Sequence, residues 1–316
     1  MIGSAYGDSS AQAWRQVNLR QLEYLVNVAD RGAFTRAAVE LGVAQPSVSQ
    51  QVQALERELG VVLLERLPRG VRLTPAGRAF LPEARSAVLS AGRAARAARA
   101  VVNLDAGELE ILAILSVAVG LLPESVGRWH DQYPGVAIRL HEHIHIDTLE
   151  ADLRGGHGDI GVGPRPRRWA GPVVPLGWEE FFVVLPWNDP LAANTAVDIG
   201  DLATRDWVLF EAENGLADVV DSVCRRSADF QPRGTVRTSQ VSAAASLAAA
   251  GLGVTILPGS NLPSTLDAAV RPIAPPVVRE IAAYTRSAWS STATAYLTLL
   301  ADLPWRREHP SSAMIV

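Results

Sequence analysis

The chain has 316 residues, more than one domain usually holds, so we expect two or three folded units. Its 48% hydrophobic and 20% charged residues describe a globular protein and exclude a disordered or fibrous one. The net charge of −4 is divided unevenly: residues 1–104 carry 13 Arg against 8 acidic residues, and residues 105–316 carry 16 Arg against 25. The basic part is expected to face a polyanion.

The start of the chain and its single cysteine bear on where the protein works. No charged segment followed by an apolar run opens the sequence, and Cys224 has no second cysteine to pair with. We therefore expect a cytoplasmic protein. Residues 1–17 lack hydrophobic periodicity and are expected to form a disordered tail.

Helical periodicity and caps predict a compact group of short helices after the tail. These segments are Leu19–Asp30, Phe34–Leu41 and Pro46–Leu59. The β-prone residues 61–64 and 70–73 flank Pro68-Arg69-Gly70 and predict a hairpin. Thr74-Pro75 then opens a long Ala- and Arg-rich helix that continues to about Asn103.

Beyond Asp105, apolar strand-like runs alternate with helical stretches. The runs are Leu109–Leu115, Val136–Leu140, Ile160–Gly163, Phe181–Leu185, Trp207–Phe210 and Val254–Leu257. Such alternation is typical of βα units that build a largely parallel sheet.

The third predicted helix has two contrasting faces. Val48, Val52, Leu55 and Leu59 recur at helical spacing and predict a buried stripe. The opposite face carries amides and hydroxyls in its first two turns, which suit base edges because Gln can bond adenine at two points. With the preceding helix and the turn at Gly42, this pattern indicates a helix-turn-helix. The alternative is an ordinary three-helix module whose polar face meets water.

Candidate DNA contacts are the residues on or beside this face and the arginines near it. Arginines on the hairpin and the second helix would meet phosphates, which add affinity and register without reading sequence. The candidates are Arg36, Gln45, Pro46, Ser47, Ser49, Gln50, Gln53, Arg57, Arg69 and Arg72.

The segment from Leu22 to Pro75 resembles the LysR-type transcriptional regulators almost position by position. The matching stretches include LRQLEYLVNVADRGAFTRAA, LGVAQPSVSQQVQALE, LGVVLLER and RLTPAG. The second half resembles that family's effector domain in GELEI, LLPESVGRWHDQYPGV, LRGGHGDIGVG, WEEFFVVLP and AAGLGVTILP. The chain departs from the family at Ala33 and Ala44, where Ser or Thr caps are usual. Family members usually begin just before the equivalent of Asn18, which implies Val17 as the first native residue.

The resemblance implies a winged helix-turn-helix, a long linker helix and a periplasmic-binding-protein-like effector domain of two Rossmann-like α/β subdomains. The implied ranges are 18–75 for DNA binding, 76–104 for the dimerising helix, 105–303 for effector binding and 304–316 for a C-terminal tail. Within the effector domain, 105–178 with 281–303 would form one subdomain and 179–280 the other. The implied function is a sequence-specific DNA-binding regulator controlled by a small-molecule effector. A homodimer, or a tetramer of two dimers, would bind an interrupted palindrome in a promoter.

The implied cleft between the subdomains supplies the effector candidates, because ligands of open α/β sheets collect at the carboxyl ends of strands. The candidates are Ser116, Val117, Gly163, Ser239, Gln240 and Ile256. Ser116 and Ser239 precede predicted helices, whose free backbone N–H groups suit a carboxylate or another small anion. The alternative is that both serines only cap helices.

Other chemistries find weaker support. His141, His143 and His145 alternate as on a strand, but the strand is predicted to end near Glu142, so we expect no metal and no other cofactor. Cys224 lacks the resolving thiol of a redox sensor and suits a small apolar helix position. We expect no enzyme, because the nucleotide-binding and hydrolase motifs are missing. The remaining alternative is a solute-binding protein with no role in transcription.

Overall fold

The computed structural model describes residues 17–100, 107–306, 308 and 312–316. Residues 1–16 of the tail predicted for 1–17, and residues 101–104 of the predicted linker helix, lie outside the described residues. The chain divides into two compact units between Arg96 and Ala97, with Gly155–His157 grouped with the first unit. Among the described residues, no helix combines the length and the hydropathy that crossing a bilayer requires.

The first unit is a three-helix module followed by a two-stranded wing and a long helix. Its elements are α1 (Leu19–Arg31), α2 (Phe34–Glu40), α3 (Gln45–Leu59), β1 (Leu64–Leu67), β2 (Gly70–Leu73) and α4 (Pro75–Ala100). The stripe predicted on α3 is confirmed at Val48, Val52 and Leu55, which are buried in the core of this unit, whereas Leu59 is half-buried against it. The α4 helix begins at Pro75, as the sequence predicts, and Pro82 lies inside it.

The wing begins later than the sequence predicts. Residues 61–64 were expected to form its first strand, whereas β1 starts at Leu64 and pairs antiparallel with β2. The Glu56 carboxylate accepts hydrogen bonds from the backbone N–H groups of Leu63 and Leu64 at 2.8 and 3.0 Å. This contact holds the preceding residues in the turn that leaves α3. At the wing tip, a Cβ on Gly70 would lie 2.5 Å from the Gly32 carbonyl oxygen, so the position requires glycine.

The second unit combines helices with one large and one small sheet. Its strands are β3 (Gly107–Ile114), β4 (Val136–His143), β5 (Ile160–Pro164), β6 (Val173–Leu185), β7 (Val197–Asp198), β8 (Asp206–Phe210), β9 (Arg233–Thr238), β10 (Thr255–Pro258), β11 (Ala269–Tyr284) and β12 (Met314–Ile315). Its helices are α5 (Leu115–Gly120), α6 (Leu122–Gln132), α7 (Ile146–Gly155), α8 (Gly215–Ala228), α9 (Val241–Ala249) and α10 (Ser291–Ala301).

The large sheet is mixed rather than largely parallel. It has eight strands in the described residues, in the order β10-β6-β11-β5-β3-β4, with β7 and β12 beside β11. The prediction holds for β4, β3 and β5, which are parallel, and for the separate pair of β8 and β9. It is wrong for β6 and β11, because these strands carry the chain across the sheet in opposite directions and therefore pair antiparallel.

Two hydrophobic cores share β6 and β11. One core, which we call subdomain I, takes residues from β3, α6 and α10 together with Leu176 of β6 and Ile281 of β11. The other, subdomain II, takes residues from β8, α8 and α9 together with Phe181 of β6 and Val277 of β11. The two long strands thus join two α/β halves, as the implied effector domain requires.

Besides β6, three other strands pair with β11, each along a different stretch of it. β7 pairs with Ile273–Ala274, β12 with Val277–Val278 and β5 with Ile281–Tyr284. Residues 304–316 were expected to be a tail, yet β12 belongs to the sheet. Met314 and Val316 also pack against the core of subdomain II.

The missing helix caps lead to a prediction about local stability. The N-cap residue Ala33 of α2 makes no side-chain cap, whereas Asn18 forms a capping box with Gln21 at the start of α1. A cap hydroxyl contributes about 1 kcal/mol, so Ala33→Ser should slow amide exchange in α2 roughly 5-fold. Asn18→Ala should accelerate exchange in α1 by a similar factor.

Hydrogen-exchange mass spectrometry on the full chain measures both effects. Peptides from α8, which has its own cap at Asn214, serve as the internal control. Unchanged exchange in α2 of Ala33→Ser, with faster exchange in α1 of Asn18→Ala, would contradict the prediction for α2.

Candidate DNA-binding and effector sites

The polar face of α3 is open to solvent in the N-terminal unit. α3 begins at Gln45 after the extended residue Ala44, with Pro46 in its first turn. The predicted base contacts are exposed at Pro46, Ser47, Gln50, Gln53 and Arg57 and half-buried at Gln45 and Ser49. The first two turns of α3 therefore carry amides and hydroxyls on the side of the helix opposite the buried stripe.

Arg66 extends this face beyond the residues predicted from sequence. Its guanidinium donates a hydrogen bond to Ser49 Oγ at 2.7 Å and lies 5.0 Å from the centroid of the Phe34 ring. Ser49 is therefore engaged by an arginine of the wing. The basic residues of the hairpin could have indicated Arg66. Because the first strand of the hairpin was predicted to end at residue 64, Arg66 was not counted among its strand residues.

The predicted phosphate-binding arginines differ in their surroundings. Arg36 and Arg69 are exposed. Arg72 is exposed as well, but its guanidinium lies 2.6 Å from the Glu65 carboxylate, its direct partner across the wing. A phosphate at Arg72 would have to share that guanidinium with Glu65.

The structure places the effector candidates in different environments within the second unit. Ser116 is the second residue of α5 and is 2% exposed, and Gly163 lies in buried β5. The side chains of Val117 and Ile256 are fully buried in the two cores, so only their backbone could face a ligand. Ser239 is exposed.

The capping alternative for the two serines is wrong. The N-cap of α5 is Ile114, and the N-cap of α9 is Gln240, whose exposed side chain makes no cap hydrogen bond. The Ser239 carbonyl accepts a hydrogen bond from the Asn214 amide at 2.9 Å. The roles of both serines toward an effector stay predictions.

A buried ion pair lies where the two subdomains meet. Arg279 of β11 stands directly opposite Glu179 of β6 and donates to its carboxylate through Nε at 2.7 Å, with Nη2 at 2.6 Å. Nη2 also donates to Ser116 Oγ at 2.9 Å, and the Ser260 hydroxyl donates to Glu179 Oε1. Each ion-pair side chain is 4% exposed. We call these four residues the hinge network.

Sequence reasoning missed most of the hinge network. Glu179 and its neighbour Glu180 pair with two different arginines, Arg279 and Arg306. The available signal for Arg279 was a charged residue inside an apolar, β-prone run. Its partner lies 100 residues away, a separation that no local pattern spans.

The histidine cluster does not form a metal site in the described part of the chain. β4 ends at His143, so His145 lies beyond the strand and breaks the alternation. His145 Nε2 contacts the Asp218 carboxylate at 3.1 Å instead, a contact between the two subdomains. The described residues contain no group of three His, Cys, Asp or Glu side chains arranged to hold a metal ion.

Cys224 is packed in the core of subdomain II and is fully buried. Burial, and then the nearby Asp221 carboxylate, raise the pKa of this thiol to about 12. Because the thiolate is the reactive form, a thiol with this pKa is unreactive at neutral pH.

Family models match both units. A model described as "Bacterial regulatory helix-turn-helix protein, lysR family" matches residues 19–78, and one described as "LysR substrate binding domain" matches residues 103–302. A relative from Streptomyces viridosporus, described as a probable hydrogen peroxide-inducible genes activator, is 33% identical over 245 residues, or 77% of this chain and 78% of that protein. Other relatives are described as HTH-type transcriptional regulators.

Solved structures of full-length regulators are similar over most of the chain. A full-length OxyR variant from Pseudomonas aeruginosa is 29% identical with a TM-score of 0.73, covering 93% of this chain and 99% of that one. Full-length CbnR complexed with its target DNA is 28% identical with a TM-score of 0.50, covering 90% and 98%. These similarities favour a transcriptional regulator over a free-standing solute-binding protein.

The position of Arg66 predicts how DNA binding depends on salt. Each phosphate that an arginine neutralises contributes about 0.9 to the slope of log K against log salt concentration. In Arg66→Gln the slope should therefore become shallower by about 0.9 per subunit, as fluorescence anisotropy with duplex DNA can measure. The control is Arg128→Gln, an arginine of α6 that pairs with Glu124. An unchanged slope in Arg66→Gln would remove Arg66 from the DNA-binding surface.

Proposed function

Since this chain belongs to the LysR family of bacterial helix-turn-helix regulators, we propose that α3 is its recognition helix and that Gln50 is a principal base-reading residue. The chain is a DNA-binding transcriptional regulator with an effector-binding domain. The observation that carries the proposal is the largely exposed amide and hydroxyl face of α3, which lies opposite the buried side chains of Val48, Val52 and Leu55. A glutamine that bonds adenine at two points discriminates that base by about 1–3 kcal/mol.

Contacts to the phosphate backbone would position α3 in the major groove. Arg36 at the start of α2 and Arg69 at the tip of the wing supply exposed charges on the elements that precede and follow α3 in the chain. Arg66 adds a third charge close to Ser49. These arginines would set the register in which the amides of α3 meet the bases. The basic excess of residues 1–104 agrees with this role.

The effector is proposed to be a small molecule that binds between subdomains I and II, possessing a carboxylate or another anionic group. The carboxyl ends of β3, β5, β8 and β9 would surround it, because ligands of open α/β sheets collect there. Binding would change the angle between the subdomains. The resulting effect on DNA binding can be no larger than the difference in effector affinity between the two arrangements.

The regulator is proposed to act in the cytoplasm as a homodimer or a tetramer of two dimers. The Ala-rich sequence of α4 suits close approach to the same helix of a second copy. Paired recognition helices would then bind an interrupted palindrome. Domain limits of 18–75, 76–104 and 105–303 follow from this organisation.

One relative is described as a hydrogen peroxide-inducible genes activator, but Cys224 lacks the properties of a peroxide-sensing cysteine. A sensing cysteine is accessible, has a low pKa and has a resolving thiol nearby. Cys224 is buried, has a raised pKa and is the single cysteine of the sequence. A different signal, bound rather than reacted, fits this effector domain better.

Base reading by Gln50 predicts a specific loss of affinity. Gln50→Ala should weaken binding to the upstream region of the regulator's own gene roughly 5- to 150-fold, because a two-point bond to a base disappears. Binding to unrelated DNA should change little. A mobility-shift assay with both duplexes measures the difference. Gln132→Ala in α6 removes the same chemical group outside the recognition helix and should bind as the wild type does. Equal affinity of Gln50→Ala and the wild type for the upstream region would sink the assignment of Gln50.

The oligomeric state is tested separately by light scattering in dilute buffer. We expect a mass of two or four chains, because a dimer is needed to present two recognition helices to one palindrome. A second measurement with bound DNA should show two chains, or a multiple of two, on each site. A monomer in both measurements would rule out the proposed arrangement while leaving base contact by a single α3 intact.

A further inference from the structure

The two long strands that join the subdomains share a narrow stretch at the hinge network. On β6, β10 pairs with Phe181–Val184, and on β11, β7 pairs with Ile273–Ala274 and β5 with Ile281–Tyr284. Between these partners lie residues 177–180 of β6 and 277–279 of β11, which we call the hinge ribbon. A ribbon of two strands twists more than a wider sheet does. The stiffness of the hinge ribbon therefore depends on what else pairs with its outer edges.

Trp305 and Arg306 cover the β6 edge of the hinge ribbon. The Trp178 N–H donates a hydrogen bond to the Arg306 carbonyl at 2.8 Å, and the Arg306 guanidinium pairs with the Glu180 carboxylate. Trp305 packs against the core of subdomain I. Gly177 leaves room for this approach, because a Cβ there would lie 2.6 Å from the Cβ of Trp305.

β12 covers the opposite edge of the hinge ribbon. It pairs parallel with β11, and the Val316 N–H donates to the Val278 carbonyl at 3.0 Å. The Arg226 guanidinium of α8 donates to the Ile315 carbonyl at 2.8 Å. Met314 packs against the core of subdomain II. Residues close together in sequence thus pair with both outer edges of the ribbon.

We propose that Trp305, Arg306 and β12 form a strap that restrains the rotation of subdomain I against subdomain II. The strap is anchored in both cores, by Trp305 in subdomain I and by Met314 in subdomain II. It also holds both outer edges of the hinge ribbon, so a change in the twist of the ribbon has to release one of its anchors. The family model of the effector domain matches residues 103–302, and the strap lies outside that range.

This inference goes beyond the proposed function, because the strap sets how freely the subdomains move whatever the effector is. An effector that rotates the subdomains would have to supply the free energy that releases the strap. A hydrogen bond from a charged group and the burial of a methionine side chain each favour the attached state by about tenfold. Losing the Arg226 hydrogen bond and the burial of Met314 should thus raise the released fraction roughly 100-fold.

The distance between two spin labels measures the restraint without an effector or DNA. The labels are attached at Ala151→Cys in α7 and at Thr204→Cys just before β8, two exposed positions on different subdomains. Cys224→Ala removes the single native cysteine from the full chain. Double electron–electron resonance then gives the distribution of distances between the labels. Chains with one label each give the contribution from pairs of copies.

One variant releases β12, and its control makes matching changes one position away. The release variant is Arg226→Gln with Met314→Ser. The control is Arg225→Gln with Ile315→Ser, because Arg225 pairs with Asp221 and the Ile315 side chain is exposed. The distance distribution should become wider in the release variant, since the ribbon is then free to twist. It should keep the wild-type width in the control.

A second pair of variants tests the strap from its other end. Gly177→Ala places a methyl group against Trp305 and should also widen the distribution. Gly127→Ala in α6 makes the same substitution where a Cβ has no other atom within 4 Å, so its distribution should match the wild type. Circular dichroism establishes which chains are folded. If the release variant of β12 does not fold, Gly177→Ala against Gly127→Ala decides.

The outcomes separate the strap from the proposed function. Wild-type widths in the folded release variants would overturn the strap, as would equal widening in the controls. A mobility shift on the upstream DNA, measured on the unlabelled chains, tests the regulator independently. Retained DNA binding with unchanged widths leaves the regulator standing and removes the strap. Widening confined to the release variants and Gly177→Ala supports the strap whatever the DNA result.

Discussion

The pairing of Glu179 with Arg279 constrains the whole effector domain, because it fixes β6 against β11 where the two cores meet. A buried charge without a partner is costly, so each of the two side chains demands the other. The strands cannot slip by one residue without separating them. Serines from the two subdomains complete the network on either side. A rotation of one subdomain on the other would have to preserve this pair or break it.

The parts of the fold that sequence predicted well are those in which neighbours along the chain decide the structure. On α3, the helical repeat places Val48 and Val52 inward and Gln50 outward, so the spacing of apolar residues alone predicts which side chains are buried. The end of α3 at Gly60 also follows from a local rule, since its φ of +69° is a left-handed conformation that favours glycine. The family resemblance added the order of the domains, which the family models matching both units support.

The parts that sequence did not predict depend on contacts between distant residues. Ser49 looked like a free base-reading hydroxyl until the fold brought Arg66 of the wing against it. Ser116 looked like a helix cap or a ligand contact, and its partner Arg279 lies 163 residues further along the chain. The number of parallel strand pairs was overestimated for a similar reason. Apolar runs predict strands, but the direction of β6 and β11 follows from how the chain crosses between two cores.

The pairing of β11 with three different short strands along one edge affects the solubility of the protein. Each partner covers one stretch of this edge, and the stretch at Val277–Val278 pairs with Met314–Ile315 of β12. Without β12, the backbone N–H and C=O groups of Val277 and Val278 on this edge would be unpaired. Such an edge recruits strands from other molecules. β12 thus protects a short stretch of exposed strand edge, and we expect variants that lose this pairing to be less soluble.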